Sequence, residues 1–473
     1  MKIRIAKPSD VAQVDMTATF VTKETLELTD ALKRQGFTGE AGKIAVVGGD
    51  AVLLGCSNEP TREQVREAVG SALAAASKVG ARSVAFNLPD GIDALDAGVA
   101  MTEATLLASY RYATYKKAPE RDVTDVVFVV DAKKSASFKK GMERAQSVMT
   151  GVTLARDLVN APPHDMHPEQ LAKTALAIAK ASKGRVTAKI LDRAACEKLG
   201  MGAYLAVAKG SAYPPKFIHL TYKPSKASKK SVAVVGKGIT FDSGGLSLKP
   251  ADAMMTMKCD MGGAAATLGL FASITALAPK VTVHGIIAAA ENMPSGTAMR
   301  PGDIVRSSNG KTIEILNTDA EGRLTLADAL HYATKLKPNA IVDLATLTGA
   351  CVVALGEEIA GVMGNDKDTT VALLAAAARA GEKLWEMPLE PRYKALVESD
   401  VADLRNIATN RYGGSLTAGL FLQHFVNDIP WAHMDIAGTA FAERPMASYI
   451  GKGGTGYGVR TLVEYIENFS KSV

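Results

Sequence analysis

The chain has 473 residues, 47% of them hydrophobic and 22% charged, enough apolar material for a large core spread over more than one domain. Four cysteines lie far apart with no Cys-x-x-Cys pair, which argues against a disulfide framework or a thiolate zinc site. The formal charge of +6 comes mainly from residues 151–230, where scattered lysines with few aromatics read as a solvated surface rather than a nucleic-acid track.

The start, Met1 to Pro8, lacks the apolar core of a signal peptide, and no uninterrupted apolar run is long enough to span a bilayer. A cytoplasmic protein with no membrane partner is expected. Apolar runs at residues 43–48, 83–87 and 126–130 then alternate with helical patterns at 62–79, 96–115 and 137–159. That is the βαβ rhythm of a largely parallel sheet. The stretch from Gly36 to Lys43 is a near miss for a phosphate loop, with one residue too many and Ile44 where Ser or Thr belongs, so no nucleotide site is read here. His164 and His167 form an H-x-x-H in a Pro-flanked turn, where the start of a helix is a plainer role than metal binding.

The second part repeats the rhythm, with strands at 232–235, 281–288, 313–316 and 340–344 and helices at 263–277, 323–335, 370–383 and 459–469. The fold class is α/β in two domains, each a mixed or largely parallel sheet flanked by helices. The expected boundaries are 1–150 for the first domain, 151–185 for a connecting helical segment and 186–473 for the second domain.

Two acidic segments follow strands in this second part. In the first, glycines 236, 238, 244 and 245 permit positive φ, so Gly236 to Gly245 reads as a loop at a strand end. It carries Lys237 and Asp242, with Lys249 and Asp260 close behind. In the second, Asn317-Thr318-Asp319-Ala320-Glu321-Gly322-Arg323-Leu324, the charged residues fall at every second position, and an extended backbone would bring them to one face. The competing reading makes Asp319 and Glu321 caps of the helix that begins at Arg323.

Four carboxylates in a dry pocket repel one another, and a pair of divalent cations is the simplest compensation. Oxygen ligands suit Zn²⁺, Mn²⁺ or Mg²⁺. None of the seven histidines falls in an H-E-x-x-H pattern, which argues against a histidine-type zinc protease. A lysine beside such cations either ligates as the neutral amine or stays charged to stabilise an oxyanion. An ordinary solvent-facing lysine is the alternative.

Lys237, Asp242, Lys249, Asp260, Asp319, Glu321 and Arg323, in this order, resemble the leucyl (cytosol) aminopeptidase family of two-metal exopeptidases, in its bacterial form. Asn160-Ala161-Pro162-Pro163, Glu291-Asn292-Met293-Pro294, Asp343 to Gly349 and Asp435-Ile436-Ala437-Gly438 support the resemblance, which is dense from about Asn160 onward. It implies that the catalytic domain is the C-terminal one, with two divalent metal ions, Mn²⁺ or Zn²⁺, in each subunit. One ion would take Lys237, Asp242, Asp260 and Glu321, and a more exchangeable one Asp242, Asp319 and Glu321. Lys249 and Arg323 are the implied catalytic pair, with bicarbonate on Arg323 as proton relay. The implied substrate pocket is Met257, Asn317, Ala320, Thr346, Gly349 and Ala437. Peptides with a free N-terminus and a homohexamer complete what the resemblance implies.

Two other classes compete. A DNA-binding or regulatory role of the same hexamer would show as salt-sensitive retention on DNA. A two-metal phosphoesterase is opposed by the lysine in the ligand set and by the apolar pocket.

Overall fold

The computed structural model describes residues 1–7, 14–117, 122–226 and 228–471. They form two compact units, Met1–Met149 with Arg444–Lys452, and Thr150–Glu443 with Gly453–Val473. The segment 151–185, expected as a connector, is therefore part of the second unit, and a short late segment belongs to the first.

The first unit is built on strands β1 (Lys2–Ala6), β2 (Met16–Val21), β3 (Ile44–Val47), β4 (Ala51–Gly55), β5 (Ser83–Asn87) and β6 (Asp125–Val129) in the order β1-β6-β5-β2-β4-β3. Every pairing is parallel except β3 with β4. Helix Arg62–Val79 is bounded by local chemistry. Thr61 and Gln64 form a reciprocal capping box at its start, and Gly80 ends it in the left-handed region at φ 80°. On its surface Gly70 leaves room for the returning segment, where Ser448 donates its hydroxyl to the Glu67 carbonyl at 2.8 Å and its N–H to the Glu67 carboxylate at 3.1 Å. The Tyr449 hydroxyl donates to Glu63 at 2.6 Å.

The second unit contains β7 (Val186–Leu191), β8 (Lys216–Tyr222), β9 (Ser231–Asp242), β10 (Thr282–Asn292), β11 (Ile304–Arg306), β12 (Thr312–Glu314), β13 (Ala340–Ala345), β14 (Ala360–Gly364), β15 (Leu384–Glu386), β16 (Leu404–Arg405) and β17 (Trp431–Asp435). Eight of them make one sheet in the order β15-β14-β17-β13-β9-β10-β8-β7, while β11-β12-β16 form a small sheet apart. Its centre, β10-β9-β13-β17, is parallel throughout, and antiparallel pairs flank it on both sides. Near-continuous burial along β9 and β13 is the mark of a sheet covered on both faces.

The strand at 232–235 runs seven residues longer than expected, to Asp242, so Gly236 and Gly238 lie inside β9 rather than in a loop. Their role is close approach. A β-carbon on Gly236 would collide with the Gly263 carbonyl, and one on Gly263 with that of Leu344, so helix Gly262–Leu277 packs backbone to backbone on β9 and β13. The loop begins only at Ser243, where Gly244 and Gly245 adopt φ of 86° and 64°.

The stretch Ala251–Leu277 has the length and mean hydropathy to cross a membrane, yet 78% of its apolar window is buried within the fold. Its helical structure is also broken at Thr256 and Asp260. All four cysteines are buried and unbridged.

Candidate metal centre

The candidate residues gather at the carboxyl ends of the parallel strands, where open α/β sheets place their ligands. Asp242 ends β9, Asp260 follows the single 3₁₀ turn Met257–Cys259, and Thr346 follows β13. Asp319 and Glu321 come from the turn before helix Gly322–Thr334.

A register irregularity prepares this convergence. Lys237 and Asp242 are an odd number of residues apart, which in a regular strand sends side chains to opposite faces. Between the pairs Ile239↔Ala290 and Asp242↔Asn292, β9 contains one more residue than β10. Such a bulge reverses the alternation, and both side chains reach one cluster.

Carboxylate oxygens of Asp242, Asp319 and Glu321 all lie within 4.8 Å of one another. Two lysines divide the negative charge between them. Lys237 Nζ stands 2.8 Å from both Asp260 Oδ1 and Glu321 Oε1 and donates to the Thr346 carbonyl at 2.8 Å. Lys249 Nζ stands 2.9 Å from Asp242 Oδ2 and 2.5 Å from Asp319 Oδ1. The Thr346 hydroxyl donates to Asp260 Oδ1 at 2.7 Å, whereas Asp260 Oδ2 is buried with no hydrogen-bond partner among the described residues.

Burial, and then the charge of Asp242, push Glu321 well above the usual carboxylate range against the pull of Lys237. Burial likewise raises Asp260 to about 6 despite Lys237, and raises Asp319 with Asp242 adding to it. Burial opposes charge on Lys237 and Lys249, but the carboxylates outweigh it and hold both ammonium groups above the ordinary lysine value. The cluster therefore has more buried acid than the two lysines satisfy. An orphaned carboxylate oxygen, an all-oxygen set and an adjacent amine fit hard or borderline divalent cations.

Two expectations about the second acidic segment change. Residues 317–321 form a turn rather than an extended strand, and Glu321 has helical backbone angles, φ −79° and ψ −35°. It stands at the N-cap position but makes no capping hydrogen bond, which leaves its carboxylate to the cluster. Arg323 lies inside the helix, where its Nη1 donates to the Asn406 carbonyl at 2.7 Å and its Nε is buried without a partner among the described residues. Burial lowers Arg323 to about 10, with Glu321 and Asp435 opposing.

The implied pocket residues divide into two groups. Thr346 touches the cluster directly, Ala320 is buried in the turn, and Asn317 accepts the Asp319 N–H on its side-chain oxygen at 2.8 Å. Met257 and Ala437 are half-buried, and Gly349 is exposed at the start of helix Gly349–Leu355. Asp435 ties Ala437 to the loop after β13, accepting N–H groups from Leu347 and Ala437 at 3.2 Å and the Thr348 hydroxyl at 2.6 Å.

Reading the sequence missed the groups that hold this site in shape. Asn292 donates to Asp242 Oδ1 at 2.8 Å and to the Thr318 carbonyl at 3.0 Å. Asn406 accepts from Leu316 N–H at 2.8 Å and donates to the Asn317 carbonyl at 2.6 Å, clamping the turn from the other side. The Thr318 hydroxyl donates to the Gly244 carbonyl at 2.6 Å. A polar residue closing an apolar strand was the available signal for Asn292, and none marks Asn406.

The sequence model for the catalytic domain of the cytosol aminopeptidase family matches residues 153–463, and that for its N-terminal domain residues 12–119. The chain belongs to the cytosol aminopeptidase family. A probable cytosol aminopeptidase of Rippkaea orientalis is 48% identical over 443 residues, covering 93% of this chain and 88% of the relative. One of Trichormus variabilis is 45% identical over 462 residues, covering 97% and 93%. Among solved structures, a mutant of tomato leucine aminopeptidase superimposes with a TM-score of 0.89 at 36% identity, covering 99% of this chain and 96% of that one. The bottromycin maturation enzyme BotP in complex with Mn gives 0.86 at 34% identity, covering 97% and 100%. The chain is thus a peptidase, a hydrolase with the two-domain α/β architecture of its family.

Proposed function

We propose that this protein releases N-terminal residues from peptides, Leu and other apolar ones first, with two divalent cations, Mn²⁺ or Zn²⁺, in the cluster. The observation that carries this reading is the meeting of Asp242, Asp319 and Glu321 oxygens within 4.8 Å at the carboxyl end of a parallel sheet. Lys237, Asp242, Asp260, Asp319 and Glu321 would hold the cations, with Asp242 and Glu321 shared. Such ions supply Lewis acidity and a nucleophile drawn from water at neutral pH.

The chain's own groups do the rest. The excess of buried carboxylate favours a substrate whose α-amine is free, which a mid-chain amide cannot offer. Lys249, paired with Asp242 and Asp319 where Lys237 is paired with Asp260 and Glu321, stabilises the charge that develops on the carbonyl oxygen. Arg323 is too basic to take a proton itself, and its role is to hold an anion, bicarbonate, that moves one. Met257, Asn317, Ala320, Thr346, Gly349 and Ala437 receive the side chain. An apolar pocket separates substrates by only ~1–3 kcal/mol per methylene, so selectivity is graded rather than absolute. Assembly as a homohexamer and a cytoplasmic location belong to the same proposal.

The test is removal of metal by a chelator followed by return of Mn²⁺ or Zn²⁺ while leucine release from a leucyl peptide is followed. The rate should vanish and return. An undiminished rate in the metal-free protein overturns the reading.

A further inference from the structure

We propose that Asn292 is a positioning residue: its side-chain amide sets the separation between the two carboxylate-bearing segments, and with it the affinity of the cation that Asp242 and Asp319 share. The inference rests on the metal-centre reading above.

Asn292 is the last residue of β10 and is 2% exposed. The bulge in β9 makes it the register partner of Asp242. Its amide offers two N–H groups and spends one on each segment, at 2.8 Å to Asp242 Oδ1 and at 3.0 Å to the Thr318 carbonyl. Its main-chain carbonyl accepts the N–H of Ser243 at 3.0 Å and the hydroxyl of Ser243 at 2.7 Å, which fixes the residue after Asp242 as well.

Asp242 Oδ1 also accepts the Gly244 N–H at 2.9 Å, so this oxygen is committed to two protein donors. Oδ2, the atom nearest Lys249, is the one left to face the cluster. The glycines nearby belong to the same arrangement. A β-carbon on Gly245 would lie 2.9 Å from Asn292 Oδ1, and at φ 64° the position favours glycine in any case. One planar group thus carries the orientation of Asp242 and the height of the Thr318-Asp319 turn. Outer groups that orient metal ligands typically change affinity 10- to 100-fold when removed.

Asn292→Asp keeps the shape, removes both donors and sets a carboxylate against Asp242 and the Thr318 carbonyl. Asn292→Ala removes the group. Each variant and the wild type, stripped by chelator, would be titrated with Mn²⁺ alone, free ion being read by electron paramagnetic resonance and the fold by near-ultraviolet circular dichroism. The wild type should bind in two steps. A variant with the wild-type dichroism should show at least one step weakened about 10- to 100-fold. Titrations within twofold of wild type in both variants overturn the proposal. Loss of the native dichroism in both also overturns it, since the residue then serves folding rather than positioning. A wild type that binds no Mn²⁺ removes the metal-centre reading itself, a failure distinct from the other two.

Discussion

Gly322 lies so close to Lys237 that a β-carbon on the glycine would stand 2.5 Å from the lysine Cε and 2.6 Å from its Nζ. The ammonium has little freedom to yield, being held by Asp260, Glu321 and the Thr346 carbonyl. Gly322 opens a helix and lacks a positive φ, so alanine suits the backbone there and helix propensity favours it by ~1 kcal/mol. Gly322→Ala should nevertheless lower the melting temperature, since overpacking against a held side chain costs ~1–3 kcal/mol, and kcat/KM for a leucyl substrate should fall at least about tenfold, roughly the effect of 1.4 kcal/mol on a barrier. An unchanged melting temperature with an undiminished rate would contradict the steric argument.

Lys249→Met removes the ammonium between Asp242 and Asp319 while keeping most of the side-chain volume. If Lys249 stabilises the developing oxyanion, kcat falls about 10²- to 10³-fold. Mn²⁺ affinity should hold or improve, because a competing cation has left the carboxylates. Steady-state kinetics at saturating metal separate the two effects, and a loss cured by excess Mn²⁺ would speak against the assigned role.

Asn406→Ala strips the turn 316–320 of its clamp but leaves the main-chain carbonyl that Arg323 uses. Buried groups left unsatisfied cost ~1–3 kcal/mol each. Amide exchange at Leu316 and Asn317 should accelerate markedly in the variant, with the parallel sheet still protected. Uniform acceleration across β9 and β13 would mean that Asn406 supports the whole unit.

Acid should loosen the sheet at one identifiable place. His219 Nε2 faces His284 Nδ1 at 3.1 Å, its Nδ1 faces the Tyr332 hydroxyl at 3.1 Å, and the Thr221 hydroxyl stands 3.2 Å from His219 Nε2. Burial, then His284 and Lys189, lower His219 from 6.5 to about 4; burial and Lys223 lower His284. A histidine depressed in the folded state contributes stability that is present above 6.5 and lost as pH falls toward about 4. The urea midpoint should therefore drop across that window, and His219→Gln should flatten the slope. An equal slope in the variant would place the acid sensitivity elsewhere.

What the sequence disclosed followed the strength of local signals. Helix Arg62–Val79 and strand Ser83–Asn87 were readable to the residue because a capping box, a terminal glycine and a short apolar run mark their ends. Trp431–Asp435 was not, since His433 and Asp435 interrupt the apolar pattern of a strand that is buried throughout. His433 is tolerated there through its 2.6 Å contact with Asp343, which also accepts the Trp431 indole N–H. Glycines misled in β9 because the same residue serves turns and close helix packing, and only the neighbouring helix distinguishes the two. The acidic residues were visible as residue types. The amides of Asn292 and Asn406 act across distant parts of the chain, and the sequence offers only a polar strand end for the first and no local pattern for the second.

The late segment Arg444–Lys452 has a consequence for biosynthesis. Because Ser448 and Tyr449 settle on the helix that carries Glu63, Glu67 and Gly70, the amino-terminal unit lacks one of its own pieces until most of the second unit has been translated. A ribosome-bound nascent chain stalled before this point would leave the patch around Glu63, Glu67 and Gly70 uncovered, so the first-made unit is completed only after most of the later one has been made.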